Sequence, residues 1–273
     1  MLKRSVFNLV EYIWGRGFQL IGLIDRRRPF IKPERQRILV IAPHPDDETI
    51  GAGGAIVQHL EAGATVDVLI VTDGRRSKAN GLATDEMITH RKQEAIQASK
   101  ELRSTFTQLQ LPEGTWKPDE FIQAVKFHIS KAEIIYAPSH IDFHPEHLKV
   151  ALVIAALAKE NQRIRIMQLG VPLTAKRINC LIDISTAYNR KLNALVAYRT
   201  QQGSIYPLKR ITTYQELRYG RLVECFQELT AAEYQYRVEA NNWLNRNSPY
   251  RGIRSRPFSD PLAWLVQMVS GER

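Results

Sequence analysis

Ile38-Leu39-Val40-Ile41-Ala42-Pro43-His44-Pro45-Asp46-Asp47-Glu48 is an apolar run that breaks into an imidazole and three carboxylates. A short apolar run closed by a turn reads as a strand buried on both faces, and Ile56, Val57 and Leu60 beyond it recur at helical spacing. Val66 to Val71 is the next apolar run, so the rhythm is the strand, helix, strand of a parallel sheet covered by helices. It continues through a loop (Gly74 to Ala83), a helix (Met87 to Leu102), a strand (Phe106 to Leu111), a helix (Asp119 to Ser130) and a strand (Ile134 to Ala137). A polar loop with three histidines and a helix from Leu148 to Leu157 follow. Arg163 to Leu169 alternates charged and apolar residues, as a strand with one wet face does, and Leu181 to Ile184 suits another strand. Tyr188 to Gln202 and Tyr214 to Leu229 read as helices. The expectation is an α/β protein with a Rossmann-like, mostly parallel sheet flanked by helices and additional C-terminal strands and helices.

His44 to Glu48 stand between a strand and a helix, where open α/β sheets bind ligands. Three acidic side chains and a histidine in one tight turn repel one another and lose solvation unless a cation neutralises them. The alternative is an exposed acidic turn in which Asp46 or Asp47 caps the helix. A second cluster, His140, Asp142, His144, Glu146 and His147, again follows a strand and precedes a helix. Two such clusters on one parallel sheet face each other across a crevice, and an imidazole from one can complete the coordination begun by the other. Two histidines and one carboxylate with an open fourth position are the pattern of catalytic zinc, and the same set suits ferrous iron. Glu48 is expected to turn away from the metal and hold the turn through backbone N–H groups. His140 and Asp142 need no special duty in a polar loop. Gly51, Gly53 and Gly54 lack the spacing of a nucleotide loop and read as close helix packing.

These residues resemble the PIG-L or LmbE-like deacetylases, which remove acetyl from N-acetylglucosamine-containing substrates. Ala42 to Glu48, A-P-H-P-D-D-E, is similar to the family's A-H-P-D-D-E. Thr72-Asp73-Gly74 is followed by Arg91 and Glu94 on a helix, and His144-Pro145-Glu146-His147 is similar to H-P-D-H with Glu for Asp. Asp183-Ile184-Ser185, Lys191, Ala194 and Tyr198 to Gln201 resemble D-I-S, K, A, H-x-S-Q, so the resemblance runs from Ile38 to Gln202. It implies that His44, Asp47 and His147 bind zinc, and that Asp46 is the general base for water whose pKa zinc lowers from about 15.7 toward about 7. It implies that His144 stabilises the oxyanion or protonates the departing amine, with Glu146 orienting it. Arg91 matches a residue that binds sugar hydroxyls, a role weighed against an intrahelical pair with Glu94. The implied enzyme is a zinc-dependent deacetylase, with Fe2+ as the other cofactor. A metal amidase for a non-sugar amide, or a catalytically silent basic membrane-associated protein of the same fold, are the competing readings.

The 273 residues carry a net charge of +10, with arginines gathered at Arg26 to Arg28 and at Arg246, Arg251, Arg254 and Arg256. That charge points to an anionic partner, a phosphate-bearing aglycone or an acidic lipid surface, with a merely basic surface as the alternative; without a helix-turn-helix, finger or RNA-binding signature, nucleic acid is not expected. Cys180 and Cys225 have no CxxC neighbour and are expected as buried free thiols in a cytoplasmic protein. Residues 1–36 read as an amphipathic N-terminal helical extension, 37–240 as the deacetylase domain and 241–273 as an Arg- and Pro-rich C-terminal extension ending in a short helix near Leu262 to Val269. Glu11 and Arg16 interrupt the first apolar stretch, which is unlike a signal peptide or a membrane span. Val6, Leu9, Val10, Ile13, Trp14, Leu20, Ile21 and Ile24 recur at helical spacing, so residues 1–28 either make peripheral contact with the inner face of the membrane or pack on the domain. Oligomeric state is not legible.

Overall fold

The computed structural model describes residues 30–77, 81–142, 144–169, 173, 177–204 and 219–247. The amphipathic segment 1–28 and the tail beyond 247 lie outside the described residues. The strands are β1 (Arg37–Ala42), β2 (Thr65–Thr72), β3 (Phe106–Leu111), β4 (Ile134–Ala137), β5 (Arg163–Ile166), β6 (Cys180–Asp183) and β7 (Val223–Thr230). The helices are α1 (Asp47–Glu61), α2 (Thr84–Leu102), α3 (Pro118–Lys131), α4 (Pro145–Leu157), α5 (Tyr188–Ala197) and α6 (Ala231–Asn247), with a 3-10 segment at Arg199–Ser204. Among the described residues they form a seven-stranded sheet of order β3-β2-β1-β4-β5-β7-β6, in which β7 alone runs antiparallel to its neighbours.

Side chains of a strand alternate between faces, and the apolar runs are continuous because both faces are covered. Leu39, Ile41, Leu69 and Val71 pack on one side with Phe121 and Val125 of α3, Val150 and Ile154 of α4 and Tyr234 of α6. Ile38, Val40, Val68 and Ile70 pack on the other with Ile56 and Val57 of α1, Ala95 and Ala98 of α2 and Ala194 of α5. Each such Val, Leu or Ile contributes about 1.5–3 kcal/mol when fully buried. The strand order reverses at β1, whose neighbours are β2 on one side and β4 on the other, with Val40 opposite Tyr136. The loops leaving β1 and β4 therefore open at the topological switch point, where open sheets leave a crevice.

Two expectations are corrected. The helix expected over Tyr214 to Leu229 is, from Val223 on, the strand β7, inserted between β5 and β6. The strand expected to have a wet face, β5, buries Arg165 to 1% exposure. One cause explains both: charged residues there are buried as pairs. Arg165 Nε donates to Glu228 of β7 at 2.7 Å and its Nη1 to the Tyr136 hydroxyl at 2.8 Å, while Lys191 of α5 meets Glu224 of β7 at 2.5 Å.

The second pair holds α1 in place. Glu224 accepts the N–H groups of Gly54 and Ala55 at 2.8 and 2.7 Å, and Lys191 Nζ donates to the Ile50 carbonyl, which a regular helix would offer to Gly54. α1 lies so close to its neighbours that a Cβ on Gly54 would stand 2.5 Å from Ile184, and one on Gly51 2.8 Å from Leu169 and Met167. The glycines serve close packing, as their spacing suggested.

Candidate metal centre

The turn after β1 places His44, Asp46 and Asp47, and the first turn of α4 brings His147 to meet them. His44 Nδ1 lies 3.1 Å from Asp47 Oδ2 and 3.2 Å from His147 Nε2, and His147 Nε2 lies 3.2 Å from Asp47 Oδ2. Three donor atoms thus form a near-equilateral triangle. Tetrahedral zinc with ligands at about 2.0–2.1 Å separates its donors by about 3.3–3.4 Å, so the three side chains fit one divalent ion after a shift of a few tenths of an ångström. The ring nitrogens of His44, His144 and His147 also gather within 4.8 Å of one another. The His144 ring is edge-on to His44, with centroids 4.5 Å apart, at the exposed side of the cluster.

The electrostatics ask for positive charge at this point. Burial disfavours the imidazolium of His44, but Asp47 and Glu113 outweigh it and lift the group to about 9. Burial likewise opposes His147, and Asp142 and Asp47 raise it well above its ordinary value. Asp47, penalised by burial, is held well below the carboxylate range by His147 and His44. A divalent cation satisfies the same carboxylates without protonating the rings. His144 goes the other way: burial, then the neighbouring His44 and His147, lower it to about 4, so it stands neutral.

Asp46 sits beside the triangle with its carboxyl pushed up to about 7 by burial, against the pull of Arg91. Its backbone has φ 123°, a conformation that costs a residue with a Cβ on the order of 1–3 kcal/mol. Glu48, fully buried, accepts the Asp46 N–H at 3.1 Å and the Tyr198 hydroxyl at 2.6 Å, and also takes the Thr49 hydroxyl. Arg91 is 3% exposed and donates from Nη2 to Asp46 Oδ1 at 3.3 Å; its Nε and Nη1 have no hydrogen-bond partner among the described residues. Glu94, the alternative partner for Arg91, instead accepts the N–H and hydroxyl of Thr200 at 2.8 and 2.7 Å. Gly74, at φ 69°, lets the Arg91 guanidinium lie against the backbone: a Cβ there would stand 2.7 Å from Nε.

Glu146 departs from expectation. Its carboxylate accepts the indole N–H of buried Trp116, in the loop after β3, and no hydrogen bond joins it to His144 among the described residues. Asp142, expected to have no special duty, holds His147 instead: its Oδ2 lies 2.8 Å from His147 Nδ1, and its Oδ1 accepts the His144 N–H at 2.9 Å. His140 is buried and lowered to about 3, chiefly by burial. His59, expected at the surface or half-buried, is 1% exposed and lies 2.9 Å from the Tyr136 hydroxyl.

Sequence reasoning passed over Glu113 and Trp116. Glu113 Oε1 lies 3.5 Å from His44 Nε2, its Oε2 accepts the Arg76 N–H, and its own N–H donates to Asp73. Neither lies in a patterned motif, and only their place after β3, at the carboxyl end of a strand, could have pointed to them.

The family model described as PIG-L, GlcNAc-PI de-N-acetylase, matches residues 39–158, which span both loops of the centre. The "Probable N-acetyl-alpha-D-glucosaminyl L-malate deacetylase 2" of Bacillus subtilis is 31% identical over 186 residues, covering 61% of this chain and 84% of that protein. The chain belongs to the PIG-L family. In fold it is similar to the N,N'-diacetylchitobiose deacetylase of Pyrococcus horikoshii, with TM-score 0.62 and 20% identity over 73% of this chain and 85% of that one. It is equally similar in fold to the 4-carboxy-2-hydroxymuconate hydratase GalB of Pseudomonas putida, with TM-score 0.62 and 16% identity over 71% of this chain and 96% of that one. The fold alone therefore does not name the reaction.

Proposed function

We propose that this protein is a zinc-dependent hydrolase that removes the N-acetyl group from an N-acetylglucosamine-containing substrate with an anionic aglycone. The observation that carries the reading is the triangle of His44 Nδ1, Asp47 Oδ2 and His147 Nε2 beside a buried carboxyl and an arginine with unused donors. A divalent ion, when bound there, supplies the charge that polarises an amide carbonyl and acidifies water. Asp46, poised near neutrality, takes the proton of the attacking water and can pass it to the departing amine. His144, neutral and at the open side, donates a hydrogen bond to the oxyanion that develops on the acetyl carbonyl. Arg91 is the candidate contact for vicinal sugar hydroxyls, and because it is 3% exposed and pairs with Asp46, that contact requires the substrate to uncover its guanidinium.

Deacetylation is supported by the family and by the B. subtilis relative, whose name specifies an N-acetylglucosaminyl malate. The net charge of +10 supports an anionic aglycone. No helix among the described residues is long and apolar enough to cross a membrane. Glu11 and Arg16 interrupt the apolar spacing of residues 1–28, so the contact proposed for this segment, in a cytoplasmic protein, is a peripheral one with an acidic lipid surface.

The test supplies purified protein with N-acetylglucosaminyl malate, diacetylchitobiose, a GlcNAc-PI and a non-sugar acetamide, with and without a chelator. Chelator-sensitive acetate release from the sugar conjugates, fastest for an anionic one, is expected. Release from the non-sugar amide alone would reassign the substrate, and no release from any would overturn the activity.

A further inference from the structure

We propose that Tyr198 is a positioning residue for Asp46, its hydroxyl setting the Glu48 carboxylate that holds the Asp46 backbone and its ring backing the Arg91 guanidinium that holds the Asp46 side chain. The proposal rests on the reading of Asp46 as the general base.

The argument starts from the Asp46 backbone. At φ 123° it stays only if its surroundings hold it from several sides. Its carbonyl accepts the Ile50 N–H at 2.8 Å, which any helix start would provide. The other two restraints are particular to this site: the N–H is held by Glu48 Oε2 at 3.1 Å, and the carboxylate by Arg91 at 3.3 Å. Both lead to Tyr198. Its hydroxyl donates to the other oxygen of Glu48 at 2.6 Å, and the Arg91 guanidinium carbon stands 6.0 Å from the centre of its ring.

Tyr198 is itself fixed. It caps α5, is 1% exposed, and leads into the 3-10 segment whose Thr200 is tied by two hydrogen bonds to Glu94. Glu94 and Arg91 lie one turn apart on α2, so the helix that offers the arginine also clamps the segment that carries the phenol. If Tyr198 only filled the core, its ring would suffice and the hydroxyl would be dispensable. A 2.6 Å bond to a fully buried carboxylate gives the hydroxyl a separate task, orienting Glu48 so that its second oxygen faces Asp46.

Tyr198→Phe separates the two, since it keeps the ring and removes the donor. Its kcat is expected to fall by on the order of ten- to a hundredfold, with KM within about twofold and zinc content unchanged. Amide hydrogen exchange, read by NMR on the full chain, is expected to accelerate at Asp46 while Val40 and Ile70 in the sheet stay as in the wild type. Glu48→Gln is expected to act in the same direction, and the double variant to be little worse than the worse single one, because both break one chain of contacts. A wild-type kcat in Tyr198→Phe, unchanged exchange at Asp46, or acceleration spread evenly over the sheet would each overturn the proposal. If Tyr198→Phe does not fold, Glu48→Gln carries both readouts. If the wild type releases no acetate, the functional reading fails, and the exchange at Asp46 alone decides whether Tyr198 positions it.

Discussion

Asp142 Oδ2 lies 2.8 Å from Nδ1 of His147, and this contact decides which nitrogen of that ring faces His44 and Asp47. A carboxylate behind a ligand imidazole fixes the tautomer, orients the ring and raises its basicity. Asp142→Ala is therefore expected to weaken zinc binding by about 10–100-fold without abolishing it. Competition with a chelator of known affinity measures this; wild-type affinity in the variant would remove Asp142 from the centre.

The Lys191 and Glu224 pair acts on α1 at Gly54 and Ala55, two turns beyond the His44 to Asp47 turn. Both side chains are buried, and removing one partner of a buried pair leaves an uncompensated charge, at a cost of about 3–5 kcal/mol. Lys191→Met is expected to lose that much stability in urea unfolding, and Lys191→Met combined with Glu224→Gln to recover part of it. A loss under about 1 kcal/mol for the single variant would show that the two backbone N–H groups on Glu224 neutralise it alone.

Stability is expected to depend on pH through His59. Burial, and then Arg165, lower it from 6.5 to about 3, so the folded chain keeps it neutral where the unfolded chain protonates it. Between those values the unfolded state binds more protons, so stability rises with pH. The contribution is complete above 6.5 and is lost as pH falls from there toward 3. In chelator-treated protein, His59→Gln is expected to reduce the slope of unfolding free energy between pH 5 and 6 by up to about 1.4 kcal/mol per unit. An unchanged slope would mean that His59 titrates alike in both states.

The sheet and the turns that gather the histidines and carboxylates were legible because each is written locally. Ile38 to Ala42 is apolar without interruption, and His44 to Glu48 crowd charges that only a cation relieves. β7 was not legible, because Glu224, Gln227 and Glu228 interrupt its apolar pattern, and the cations that neutralise its glutamates, Lys191 and Arg165, come from elements far away in the chain. For the same reason Asp142 and Glu146 exchanged expected importance. Spacing places both near the histidines, but which carboxylate reaches a ring is decided by Trp116, which occupies Glu146 from the loop after β3. Family resemblance pointed at Glu146 through its motif; Glu113, in no motif, was marked only by its place just after the carboxyl end of β3.

Metal content is the most direct measurement of whether His44, Asp47 and His147 grip one ion. Purified wild type and Asp46→Asn are each expected to hold about one zinc per chain, and His147→Ala far less. A wild type that binds no divalent metal, or a His147→Ala chain that retains as much as the wild type, would contradict the centre.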